Sequence, residues 1–137
     1  MRSGIRIRGA RGHPEVRQAL VRYAKWLRKR YVFPIRVPVY LFPSVTIITQ
    51  DGEHVSASFF APWDPNEEPF IRIATGDYES LKKKLGRNDA LAAFIVSLSH
   101  EVNHYFQWIK SGEISEKGVA LKSRAMLRKY ASEVRRP

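Results

Sequence analysis

A long amphipathic segment in the second half of the chain constrains its fold more than any other feature. Between residues 88 and 110, apolar side chains recur three or four positions apart, which predicts a helix. Asn88 can cap the start of this helix, and Gly112 fits its end. Its apolar stripe comprises Leu91, Phe94, Ile95, Leu98, Val102, Tyr105 and Ile109. Because such a stripe has to be buried, other elements must pack against this helix.

Two further segments have helical character. Residues 14–31 repeat apolar side chains at helical spacing, with Pro14 in the first turn and basic residues between the apolar ones. Ser115 can cap a last helix that starts at Glu116 and runs to about residue 134. The chain is therefore expected to contain an N-terminal helix, a long central helix and a C-terminal helix.

Strand signals fill the region between the first two helices. Runs of β-branched and aromatic residues cover residues 37–42, 45–50, 54–61 and 70–74. Asp51-Gly52 between two of these runs predicts a hairpin, and residues 78–86 are expected to form a connection. Residues 4–9 form either a short strand or a basic arm. This order predicts an α+β fold, with the helices on one face of a small mixed or antiparallel sheet of three to four strands.

The composition is typical of one folded domain over residues 1–137. Hydrophobic residues make up 44% of the chain, which excludes a disordered basic tail despite a formal net charge of +11. The absence of cysteine excludes disulfide scaffolds, thiol nucleophiles and cysteine zinc sites. The longest apolar run, residues 91–96, is too short to span a bilayer, and residues 1–10 lack the apolar core of a signal peptide. We therefore expect a cytoplasmic protein without a membrane span.

The central helix contains the HExxH pattern at His100, Glu101 and His104. Residues four apart lie on one helix face, so both imidazoles can bind one metal ion while Glu101 acts beside them on a water molecule. This face lies opposite the apolar stripe and carries small residues and Trp108 rather than the Lys and Glu of a solvated face. The alternative interpretation is a solvent-exposed polar face with two incidental histidines.

A zinc site needs a third protein ligand, and the chain offers few. No histidine follows His104, and Lys110 stands where the extended HExxHxxGxxH pattern requires one. The downstream carboxylates belong to Glu113, Glu116 and Glu133. Glu113 lies in the turn after the helix, and Glu133 lies near the terminus. Glu116 is therefore the predicted third ligand, with Glu113 as the next candidate.

Simple helix geometry leaves this third ligand open. The central helix continues about 9 Å beyond His104, so an antiparallel helix has to run back a similar distance to face the metal. An ideal ligand would then lie between residues 118 and 121, where Ala120 cannot bind metal. Glu116 reaches the metal if the central helix ends early or the two helices cross steeply. A site with two histidines and water, or no metal at all, is the alternative.

The run SLSHEVNHYFQW over residues 97–108, with the strands before it and the helix after it, resembles the zincin metallopeptidases. The resemblance is to the small gluzincin-like proteins of prokaryotes and their mobile elements, and it covers residues 37–130. It implies zinc as the cofactor, with His100, His104 and a glutamate on the next helix as ligands. It also implies Glu101 as general base and proton shuttle in the hydrolysis of a peptide or protein substrate.

The same resemblance implies where the substrate binds. Residues 70–74 would be the edge strand of the cleft and would pair with an extended peptide by strand addition. Tyr130 and His54 are candidates for stabilising the oxyanion. The small size of the chain leaves little room for a substrate domain, which suggests narrow specificity or a latent enzyme.

The distribution of charge suggests a second function. Residues 1–36 hold eleven basic residues and one acidic residue, whereas residues 37–100 hold five basic and eight acidic residues. The N-terminal helix places Tyr23 and Trp26 among its cations, and bases can stack on aromatic rings while Arg and Lys contact phosphates. The alternative function is therefore a catalytically inactive zincin-like protein that binds nucleic acid or another partner through this helix.

Overall fold

The computed structural model describes residues 3–64 and 66–134, and these contain four helices and six strands. In chain order the elements are β1 (Ile5–Arg8), α1 (Pro14–Arg30), β2 (Val37–Phe42), β3 (Ile47–Ile48), β4 (His54–Val55), β5 (Ala57–Phe60), β6 (Phe70–Ala74), α2 (Tyr78–Leu85), α3 (Arg87–Ser111) and α4 (Val119–Val134). The predicted α+β fold is confirmed. None of the helices in these residues is long and apolar enough to cross a membrane.

Four of the strands form one mixed sheet in the spatial order β1, β2, β6, β5. β2 is parallel to both β1 and β6, whereas β5 runs antiparallel to β6. β3 and β4 form a separate antiparallel hairpin whose turn contains Asp51-Gly52, as predicted. Gly52 has a φ of +85°, a conformation that glycine adopts at no steric cost.

The prediction that residues 70–74 form the edge strand of the cleft is wrong. β6 pairs with β2 on one side and with β5 on the other, so it lies inside the sheet. Its Ile71 and Ile73 are fully buried under the helices, as suits an internal strand. Among the described strands, the edges of the sheet are β1 and β5, and β5 is the one that α3 contacts.

The hydrophobic core lies between one face of the sheet and the pair α1 and α3, which contact each other. Alternate strand residues point into it, because successive side chains of a strand face opposite sides. The sheet contributes Ile5, Val37, Val39, Leu41, Ile71 and Ile73 to this core. The predicted stripe of the central helix is buried there from Leu91 to Tyr105, so the helical periodicity identified the packing face correctly.

Two helix starts differ from the predictions. Residues 78–85 form α2 instead of a connection, and Tyr78 at its start is fully buried. α3 begins at Arg87 with Gly86 in the cap position, so the prediction of Asn88 as the cap is wrong. Asn88 lies inside the first turn because α3 follows α2 after a single residue.

The boundary between α3 and α4 matters most for the site. α3 ends at Gly112 as predicted, with a left-handed φ of +77° and an N–H that donates to the carbonyl of Trp108. α4 begins only at Val119, so the prediction that Glu116 opens the last helix is wrong. Glu116 lies in the irregular segment of residues 112–118 that joins the two helices.

Candidate metal centre

Two polar contacts to other parts of the fold flank the HExxH segment of α3. The hydroxyls of Ser99 and Tyr23 of α1 are hydrogen-bonded in the core, and Ser99 also donates to the carbonyl of Ile95. The hydroxyl of Tyr105 donates to the carbonyl of Ile35 and accepts from the N–H of Ile35. These contacts fix α3 on either side of the HExxH segment, so its imidazoles have a defined direction.

His100 and His104 lie one turn apart on α3, with their ring centroids 4.8 Å apart. The carboxylate of Glu116 faces both rings. Nε2 of His100 is 2.9 Å from Oε1 of Glu116, and Nε2 of His104 is 2.9 Å from Oε2. The structure thus brings together the two histidines and the glutamate that the sequence singled out, and their ligand atoms lie within 4.8 Å of one another. His104 is only 4% exposed, which excludes a solvated polar face with incidental histidines.

Glu116 reaches the histidines because it precedes α4 and is not part of it. The side chain of Gln107 holds the connecting segment against α3 through two hydrogen bonds to the backbone of Ser115. Its Nε2 donates to the Ser115 carbonyl at 2.9 Å, and its Oε1 accepts from the Ser115 N–H at 3.1 Å. Glu116 is the next residue, so these two hydrogen bonds fix the backbone position from which its side chain extends.

The same Gln107 also orients one of the rings. Its Oε1 lies 3.0 Å from Nδ1 of His104. Since a carbonyl oxygen can only accept, Nδ1 carries the hydrogen, which leaves Nε2, the nitrogen that faces Glu116, as the ring atom that would bind a metal ion. Sequence reasoning missed this role, although a polar residue three positions after a candidate ligand lies beside it on a helix.

The donor set fits a divalent metal ion. Two imidazole nitrogens and a carboxylate oxygen that lie within 4.8 Å of one another are the ligand types of catalytic zinc sites. Imidazole and carboxylate groups also suit other divalent transition metals. The other carboxylates considered from sequence do not join the group, because Glu133 instead bonds to Arg30 and Trp26, and Glu113 lies outside the cluster.

Glu101 borders the cluster from the wall of a cleft of about 480 Å³ between α3 and the β4–β5 segment. Its side chain is buried, with 7% of the residue exposed. Burial is the main cause that raises the pKa of Glu101 to about 7. The nearby His104 lowers this pKa, and the carboxylate of Glu116 raises it further. The lining of the cleft consists of His54, Val55, Ser56, Ala57, Val96, Ser97, His100 and Glu101. The predicted base therefore lies next to both the metal ligands and an open cleft.

The two residues considered for the oxyanion have different surroundings. His54 lines the cleft, and its Nδ1 lies 3.0 Å from Oγ1 of Thr46. Tyr130 instead packs edge-on against Tyr23 and Trp26, between α1 and α4. The cleft therefore contains His54 but not Tyr130.

Tyr23, which the sequence suggested as a platform for stacked bases, is fully buried, so its ring is not accessible to a base.

A second group of candidate ligands lies at the start of α1, where His13, Glu15 and Glu79 come together. Nε2 of His13 is 3.0 Å from Oε1 of Glu79, and Nδ1 accepts from the Glu15 N–H as a helix cap. The Glu15 carboxylate accepts hydrogen bonds from Tyr78, Arg87 and Lys82, and these lower its pKa to about 2.

Comparison of the chain with protein-family models, curated proteins and solved structures found no significant match. The interpretation of the centre at His100, His104 and Glu116 therefore depends on its own geometry.

Proposed function

We propose that this chain is a zinc-dependent peptidase whose metal is held by His100, His104 and Glu116. The observation that carries the proposal is the convergence of two imidazoles of one helix on a single carboxylate, beside a buried glutamate in a cleft. Three protein ligands are what catalytic zinc sites use, because they leave a position open. When bound there, zinc supplies Lewis-acid catalysis, which polarises a carbonyl group and acidifies water.

Glu101 is the general base in this proposal. It neighbours His100 in sequence, and its carboxyl group faces the cleft from a position shielded from bulk water. From there it takes a proton from water and passes it to the amine that leaves when the peptide bond breaks. The free edge of β5 replaces β6 as the strand on which an extended peptide pairs, because β5 is the edge strand beside the cleft.

Gln107 has a supporting role in the same centre. It holds the His104 ring through Nδ1 and the Glu116 segment through Ser115. Groups that hydrogen-bond to metal-binding histidines fix the ring orientation and raise its basicity. One side chain thus sets the positions of two of the three proposed ligands.

The variant Glu101→Gln separates metal binding from chemistry. It keeps the size of the side chain and removes its basicity, so we expect the zinc content of wild type and no peptide cleavage. Cleavage is measured by mass spectrometry on a peptide library made from a digested proteome, which presents many peptide sequences at once. Glu53→Gln, in the exposed β3–β4 turn, is the matched control and should cleave as wild type does. Cleavage by zinc-loaded Glu101→Gln at the wild-type rate would contradict the proposal.

A further inference from the structure

The sheet face turned away from α1 and α3 carries a set of aromatic and arginine side chains. Along each strand the residues that alternate with the buried ones point to this face. We call it the outer sheet face and define it by Arg8, Tyr40, Phe60, Phe70 and Arg72, one or two from each strand. Tyr40 is 39% exposed and Arg8 is exposed, whereas Phe60, Phe70 and Arg72 are half-buried.

The strand register places a tyrosine between two arginines. Tyr40 of β2 pairs with Arg8 of β1 on one side and with Arg72 of β6 on the other. Neighbouring strands lie about 4.8 Å apart, so both arginines are on strands directly beside that of Tyr40. The guanidinium group of Arg72 turns towards β5, where its Nε donates to Oγ of Ser58 at 3.3 Å. A tyrosine ring with arginines on both neighbouring strands can stack a base while the arginines contact phosphates.

Two phenylalanines continue the aromatic surface from Tyr40. The rings of Phe60 and Phe70 are stacked with centroids 4.8 Å apart, and Phe70 lies 6.1 Å from Tyr40. The guanidinium carbon of Arg72 lies 5.9 Å from the centre of the Phe70 ring. A groove of about 510 Å³ lies between Phe60, Phe70 and Arg72 on one side and the β3–β4 hairpin on the other.

The charge of this face is positive. The four strands of the sheet contain three arginines and no acidic residue. Among the acidic residues near this face, Glu68 is paired with Arg36 at 3.1 Å, whereas Asp51 in the groove accepts a hydrogen bond from Thr49 and keeps its charge. An anionic ligand is therefore favoured over a cationic one.

We propose that the outer sheet face binds single-stranded nucleic acid, with a base stacked on Tyr40 and phosphates on Arg8 and Arg72. Exposed rings favour this ligand over duplex DNA, whose bases are stacked on one another, and over an acidic peptide, which has no bases to stack. The face does not include the metal centre, so nucleic-acid binding and peptidase activity can be tested independently of each other. It also replaces α1 as the nucleic-acid surface, because the ring of Tyr23 is buried.

The test measures fluorescence anisotropy with a labelled oligodeoxythymidine of about 15 nucleotides. Wild type should bind it with an affinity that falls steeply with salt, and more tightly than a duplex of the same length. Tyr40→Leu should lower the affinity about tenfold through loss of stacking, whereas Tyr40→Phe should retain it. Equal affinity for Tyr40→Leu and wild type, or displacement by polyglutamate as readily as by unlabelled oligonucleotide, would overturn the proposal.

A matched pair of double variants tests the arginines independently of Tyr40. Arg8→Gln with Arg72→Gln removes two charges from the outer sheet face, and Lys25→Gln with Lys29→Gln removes two from the exposed side of α1. The first pair should lower affinity about tenfold or more and reduce the slope of log affinity against log salt by about 1.4. The second pair should change affinity less than about threefold. Equal losses in both pairs would show that net charge alone attracts the oligonucleotide, which contradicts a specific face.

Discussion

Residues 3–64 and 66–134 contain two groups in which histidines lie close to glutamates, and the two groups differ in what surrounds the carboxylates. At the end of α3, both oxygens of Glu116 face imidazole nitrogens at 2.9 Å. At the start of α1, the oxygens of Glu15 accept from Lys82 at 3.2 Å and Arg87 at 2.9 Å. Two side-chain cations already neutralise Glu15, so a metal ion there would have to displace them.

The histidines of the two groups also differ in the partners of their ring nitrogens. Gln107 accepts a hydrogen bond from Nδ1 of His104, so Nε2 of that ring faces Glu116, whereas Nδ1 of His13 is used to cap α1. Residue types alone do not distinguish the two groups, since both bring His and Glu within 4.8 Å. The hydrogen-bond donors around the ligands distinguish them. We infer that the group at α3 is a metal centre and that the group at α1 ties α1, α2 and α3 together.

The largest effect should come from the carboxylate that makes the α3 group a three-ligand centre. Glu116→Ala removes one ligand of three, so zinc affinity should fall more than about a hundredfold. Affinity is measured by competition with a chromophoric chelator. Glu113→Ala, three residues earlier in the same segment and outside the cluster, is the matched control and should bind zinc as wild type does. Equal affinities of the two variants would remove Glu116 from the ligand set.

A smaller effect is expected from the residue that positions the ligands. Gln107→Ala leaves all three ligands in place but frees the His104 ring and the Ser115 backbone, so zinc affinity should fall about 10- to 100-fold. Asn103→Ala is the matched control, because this amide bonds to Ser99, Ser123 and Met126 and not to the ligands. It should weaken the contact between α3 and α4 and leave zinc affinity unchanged.

Replacing Gln107 by Glu refines that comparison. A carboxylate still accepts from His104 Nδ1 and from the Ser115 N–H, but it cannot donate to the Ser115 carbonyl. Zinc affinity should therefore lie between those of wild type and Gln107→Ala. If Gln107→Ala binds zinc as tightly as wild type does, the side chain has no positioning role.

The smallest effect concerns the α1 group and appears in stability. The folded-state pKa of Glu15, about 2, lies below the usual value of 4.5 for a glutamate, so ionised Glu15 stabilises the fold above about pH 4.5 and this contribution is lost towards pH 2. Glu15→Gln should therefore be less stable than wild type near pH 7, with the difference shrinking towards pH 3. Urea unfolding at both pH values measures this, and zinc content should not change. A difference that is the same at both pH values would contradict the ionic role of Glu15.

Local patterns predicted the parts of the fold that depend on neighbouring residues. The stripe of α3, its end at Gly112 and the Asp51-Gly52 turn each depend on a few adjacent residues, and all three are found. The position of β6 depends on which strands pair across long sequence distances, which no local pattern encodes. The eight-residue α2 was missed because two turns are too few to establish a helical period.

The candidate site was likewise predictable only where it depends on residues close together in sequence. His100 and His104 share a helix face by spacing alone, so sequence places them together. Glu116 does not follow from helix geometry, because its position depends on an irregular segment held by the side chain of Gln107. An estimate that treats residue 116 as the start of a straight helix puts the ligand several residues too late.

Zinc analysis of protein purified without an affinity tag tests the central claim most directly. Wild type and His13→Ala should each hold about one equivalent of zinc, and His100→Ala should hold less than about a tenth. That pattern would assign the metal to the α3 group and exclude the α1 group. Less than about a tenth of an equivalent in zinc-supplemented wild type, or zinc that is lost in His13→Ala and kept in His100→Ala, would contradict the account.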